Sequence, residues 1–105
     1  MKYLSTMRAA STAIGVFFTS QACAADEIQG AVLAQRWCAA CHLVAAGQQQ
    51  AKSDAPPFAV IARGPGFDAG KLAFFLLDPH PKMPDMSLTR VEAANLAEYI
   101  ATLAK

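Results

Sequence analysis

The chain has 105 residues, nine basic and eight acidic side chains, a formal charge of +1 and three cysteines. That length allows one small domain at most, and no basic cluster points to nucleic acid or an anionic membrane. Residues 1–24 read as a secretory signal. Lys2 and Arg8 make a positive start, Ala9 to Phe18 is an apolar run of ten residues, and Ala22-Cys23-Ala24 is an A-x-A cleavage site. The run falls short of the roughly 20 residues of a membrane span. An uncleaved anchor is the competing reading, and lipidation at Cys23 lacks the usual Leu three positions earlier, where Ser20 stands. Cleavage after Ala24 leaves 81 residues with seven basic against eight acidic side chains, a net of −1, and only Cys38 and Cys41 as thiols. So small a chain is marginal for a self-sufficient core and is expected to draw on a disulfide, a metal or a large prosthetic group.

The first helix is expected from Asp26 or Glu27, whose charge suits a helix N-terminus, and to continue as far as Cys41. Its apolar positions include Ile28, Val32 and Trp37, and Gly30 stands in its interior, where glycine costs about 1 kcal/mol against alanine. Ala45 to Ala55 is polar and reads as a surface loop, its run of three glutamines too short to mean more. Phe58 to Ala62 follows Pro56-Pro57 as a short helix, and Gly64-Pro65-Gly66 marks a turn. Asp68 is the expected N-cap of a third helix through Leu77, with Leu72, Phe75 and Leu76 on one apolar face. Asp78 to Met86 holds three prolines and excludes regular helix. Thr89-Arg90-Val91-Glu92 is a capping box that opens a last helix from about Arg90 to Ala104, with Leu96, Tyr99, Ile100 and Leu103 as its buried stripe. No stretch alternates like a strand for long, so the mature chain reads as all-α.

The chemistry lies in Trp37-Cys38-Ala39-Ala40-Cys41-His42. Cys-x-x-Cys-His is a haem attachment signal. On a helix, positions three apart share a face, so Cys38 and Cys41 can each form a thioether with one vinyl group, and His42 can supply the proximal imidazole. Three other readings compete. A thioredoxin-like pair normally follows a strand in a βαβ unit. A zinc site would need Cys38, Cys41, His42 and His80 together, three of them at unusual spacing. A plain disulfide is possible in an oxidising compartment.

The ordered set "GAVLAQRWCAACH", "PPF", "KLAFFLLDP" and "MPDMSLTRVEAANLAEYI" resembles the class I c-type cytochromes, specifically the small bacterial single-haem kind, over most of the mature chain. The resemblance implies a small cytochrome c fold for residues 25–105, with three to four helices wrapped around one covalent haem c and the N- and C-terminal helices crossing. It implies Cys38 and Cys41 as thioether cysteines, His42 as proximal ligand and Met83 as distal ligand. Pro56 corresponds to the proline whose carbonyl accepts the second ring N–H of the histidine, with Pro57 one residue away. Gly30 corresponds to the glycine of the helix crossing, Leu96 and Tyr99 to its partners. Two departures stand out: Ala34 replaces a frequent aromatic, and the stretch between His42 and Met83 is short. Trp37 is expected at the helix surface or the haem rim. Met86 and His80 are the alternatives to Met83 as sixth ligand. Met83 is flanked by Pro81 and Pro84, and a soft thioether favours Fe(II) where a second histidine lowers the potential.

The expected function is electron transfer in the periplasm, between soluble or membrane-bound redox proteins, with no catalytic residues. The same fold also serves as the electron-input subunit of larger oxidoreductases. The alternative is a small-gas binding or sensing module with an open sixth iron position. Lys52, Lys71 and Lys82 are candidates to rim the haem edge, or are ordinary solvated charges. Neither nucleic acid nor stable membrane insertion of the mature chain is expected.

Overall fold

The computed structural model describes residues 9–18, 24–78 and 83–105. Lys2, Arg8, Ser20, Cys23, His80, Pro81 and Lys82 lie outside them. Among the described residues there are four helices and no strand: α1 (Glu27–Trp37), α2 (Phe58–Ala62), α3 (Ala69–Leu77) and α4 (Arg90–Thr102). The all-α expectation holds.

Local chemistry sets the helix starts. The Asp26 carboxylate accepts from the Ile28 and Gln29 N–H groups at 2.9 and 3.2 Å, and Asp68 accepts from Lys71 at 2.9 Å. At Thr89 the capping box is complete: Thr89 N–H donates to the Glu92 carboxylate at 2.8 Å, and Glu92 N–H to the Thr89 hydroxyl at 3.1 Å. Each bond satisfies a donor that the first helical turn leaves without a partner. At the other end of α4, the Arg63 guanidinium reaches from beyond α2 to the Ala104 and Lys105 carbonyls.

α4 is the central element, and each of the other helices packs on it. Ala93, Leu96, Ala97 and Ile100 are buried, with Tyr99 and Leu103 half-buried beside them, as the expected stripe requires. On α1 the buried side differs from the expectation. Gly30 and Ala34 are buried and Leu33 and Trp37 half-buried, whereas Ile28 and Val32 are 72% and 58% exposed. The smallest side chains face α4 because the two backbones come too close for anything larger. A Cβ on Gly30 would overlap the Asn95 carbonyl and stand 2.7 Å from Tyr99 Cβ. Asn95 and Tyr99 stand nearest to Gly30 at the crossing, and Leu96 is fully buried next to Asn95 on α4. Ala34, in the position where an aromatic was the family habit, is fully buried.

On α3, Leu76 reaches the core, with Ala69, Leu72 and Ala73 packed against it. Phe75 is 43% exposed, since it lies about 100° around the helix from Leu76. The expected face is thus rotated toward the smaller residues.

Two further contacts tie distant parts of the chain to α4. Asp26 N–H donates to the buried Asn95 side-chain oxygen at 2.7 Å. The Tyr99 hydroxyl donates to the Val44 carbonyl, and burial pushes its phenol pKa up.

Gly30→Ala is expected to cost about 2–3 kcal/mol by overpacking against backbone that cannot yield. Gly47→Ala, where a Cβ meets nothing within 4 Å, is expected to stay within about 0.5 kcal/mol. Guanidinium unfolding midpoints of the two holoproteins check the contrast. Tyr99→Phe, which strips the donor from Val44, is expected to lower stability by about 1 kcal/mol in the same assay.

Candidate haem site

The regular helix α1 stops at Trp37, four residues before the expected end. Cys38 is its C-cap, and Cys38 and Ala39 N–H both donate to the Ala34 carbonyl, at 2.9 and 3.1 Å. One more turn follows: Cys41 and His42 N–H both donate to the Cys38 carbonyl, at 3.1 and 2.9 Å. The cysteines therefore do not share the face of a helix. Cys38 is buried at the end of α1, while Cys41 is exposed on the turn.

No disulfide joins the two thiols in this structure. Burial, and secondarily the neighbouring Cys41, push the Cys38 thiol up to about 11. That makes Cys38 unlike the accessible, lowered-pKa thiol that starts thioredoxin-kind exchange. Among the described residues no group of three or more His, Cys, Asp or Glu side chains is placed to hold a metal ion, and His80, the fourth member of the zinc reading, lies outside them.

His42 is 8% exposed. Its Nδ1 lies 2.7 Å from the Pro56 carbonyl, so Pro56 rather than Pro57 is the partner. A carbonyl only accepts, so Nδ1 carries a proton, and in the neutral imidazole Nε2 is then the nitrogen with the lone pair. The Phe58 ring stands 5.2 Å from the imidazole, tilted by 46°, and Phe58 N–H donates to the Leu43 carbonyl at 2.9 Å. The start of α2 is thereby docked beside the histidine.

Met86 is buried in the core and Met83 half-buried against it. Asp85, between the two methionines, accepts from Ser87 N–H at 3.0 Å, and the chain turns at Ser87 with φ of 48° on its way to α4. Trp37 is half-buried against the core, with the Arg36 guanidinium 5.1 Å from its ring centroid. Lys52 and Lys71 are exposed.

The polar loop after His42 does more than its composition suggested. Gln48 donates from Nε2 to the Ala39 and His42 carbonyls, both at 2.9 Å, and accepts from Val44 N–H at 2.9 Å. Lys52 N–H donates to the Ala40 carbonyl at 2.8 Å, and the Ser53 hydroxyl to the Cys41 carbonyl at 3.1 Å. With Phe58 on Leu43 and Tyr99 on Val44, every carbonyl from Cys38 to Val44 has a donor. Nothing in a run of three glutamines says which one turns inward; only the closed loop singles out Gln48.

The donor set suits a covalently attached haem. Two free thiols and an imidazole follow one another within residues 38–42, the imidazole has Nδ1 bonded to Pro56 and Nε2 left over, and apolar Phe58 stands beside it. No family model matches the chain, and no solved structure does. Among curated proteins, cytochrome c-552 of Bradyrhizobium diazoefficiens is 59% identical over 85 residues, covering 81% of this chain and 82% of that protein. At that identity and coverage this chain belongs to the small bacterial c-type cytochromes, carriers of a covalently bound haem c.

Proposed function

We propose that this haem-containing electron carrier works in the periplasm as a single-haem shuttle. Cys38 and Cys41 are its thioether anchors, and His42 and Met83 its two iron ligands. The observation that carries this reading is the 2.7 Å contact between His42 Nδ1 and the Pro56 carbonyl. It commits one ring nitrogen to a proton and leaves the other to a metal, and a bonded Nδ1–H raises the basicity of the imidazole.

When bound, the haem supplies an iron centre that exchanges one electron. The chain's own residues do the rest. Cys38 and Cys41 fix the group to the turn. His42 offers Nε2 in a tautomer and orientation held by Pro56. The Met83 thioether is soft and favours Fe(II). Met86 is accounted for by packing, since it is buried in the core, which favours Met83 as the free thioether. Two side-chain ligands leave no position for a substrate, in keeping with a carrier rather than an enzyme. Redox proteins are the partners, and the exposed Lys52 and Lys71 are available to meet them.

Export is part of the same proposal. Ala9–Phe18 is exposed throughout, with Ile14, Phe17 and Phe18 more than four-fifths so. The packed body begins where Asp26 bonds to Asn95. A cut after Ala24 therefore removes the exposed apolar run and leaves Asp26 and its bond to Asn95 in place.

Two measurements follow. The holoprotein made with a cytochrome maturation system is expected to show a low-spin covalent haem, with the weak far-red ferric Met–iron band. Met83→Ala should lose that band and gain CO binding in the reduced form, while Met86→Leu should keep it. A wild-type protein that binds CO when reduced and is high-spin when oxidised would instead point to an open sixth position and a gas-binding module. Intact-mass analysis of periplasmic protein is expected to give a chain starting at Ala25; a mass retaining residues 1–24 contradicts the cleaved signal.

A further inference from the structure

We propose that Gln48 is a positioning residue for the iron ligand His42, and that the loop from Ala45 to Ala55 is the device through which it acts. This rests on His42 as the proximal ligand.

The carboxamide of Gln48 is used at both ends. Oε1 faces the Val44 N–H at 2.9 Å, while Nε2 faces the carbonyls of Ala39 and His42 at 2.9 Å and of Gln50 at 3.1 Å. The orientation is unambiguous: rotating the amide would set a nitrogen against an N–H and an oxygen against three carbonyls. Gln49 and Gln50 are exposed, and neither side chain takes part.

His42 is thereby fixed at three points. Its N–H is held by the Cys38 carbonyl, its carbonyl by Gln48 and its ring by Pro56. The same side chain folds the loop back on the attachment turn, where Lys52 and Ser53 add their own bonds. That loop leads directly to Pro56. Gln48 thus determines both the backbone from which the imidazole projects and the path of the carbonyl that the imidazole meets. Without its donors, two carbonyls of the turn lose their partner, and the bond between His42 Nδ1–H and Pro56 loosens from both sides.

The test is solvent exchange of the His42 Nδ1 proton in the reduced holoprotein, followed by NMR in D2O. Gln48→Glu keeps the length and the acceptor for Val44 but removes the donors at neutral pH. Gln48→Leu removes both, and Gln49→Ala is the control. Exchange is expected to quicken about tenfold in both Gln48 variants, the order of one net hydrogen bond, with altered haem methyl shifts in the oxidised form and no change in Gln49→Ala. Exchange in Gln48→Glu within about twofold of wild type overturns the proposal, even where Gln48→Leu is faster, because bulk rather than donation then matters. If Gln48→Leu fails to take up haem, Gln48→Glu alone decides. The wild type separates this from the ligand assignment: no haem-shifted His42 ring resonance there would sink His42 as ligand, whereas a shifted ring that ignores Gln48 sinks only the positioning role.

Discussion

The rest of the folded body depends on how closely α1 approaches α4 at Gly30. The Asn95 carbonyl and Tyr99 Cβ occupy the space where a side chain would be, so the two helices meet backbone to backbone. That contact makes α1 a rigid arm fixed near its start. Its far end carries Trp37 and Cys38, and the attachment turn grows directly from its last carbonyls. The position of the turn is therefore set by a contact two helical turns away, before any residue of the turn contributes.

From there the turn is held by backbone chemistry. A segment that reverses direction inside a small protein leaves its carbonyls without helical or strand partners, and such groups are costly when shut away from water. Here the donors come from four places: the turn itself, the polar loop, the start of α2 and the C-terminal half of α4. Each donor belongs to a different part of the chain, so the turn knits the parts together as well as being held by them. Tyr99 serves twice, with its Cβ at the helix crossing and its hydroxyl on Val44.

Much of this was legible in the sequence, for definable reasons. Asp68, Thr89 and Glu92 mark helix starts through bonds to their own neighbours, so three or four residues suffice to see them. The Cys38-x-x-Cys41-His42 spacing is equally local. The α4 stripe follows from periodicity because α4 is covered on several sides. The stripe on α1 misled because Ile28 and Val32 look like core by hydropathy, while close approach selects for Gly30 and Ala34, which carry almost no hydropathy signal. The end of α1 at Trp37 was hidden because alanines around Cys38 suit a helix as well as a turn. Gln48 was invisible for a different reason: its partners are backbone groups, which every residue has.

The bond from Asp26 to Asn95 spans 69 positions, which nearly closes the body into a ring. Synthesis runs from the N-terminus, so the turn with Cys38 and Cys41 exists well before Arg90–Thr102 has been made. Until that last helix arrives, α1 has no surface to cross and Val44 no tyrosine to meet. Passage across a membrane N-terminus first, as the proposed export requires, keeps that order and leaves an interval in which the Cys38 sulfur, buried in the finished body, is reachable by an attaching enzyme. Arrival of the last helix then closes the body over Cys38 while Cys41 stays exposed, a timing that comes from having the central helix last.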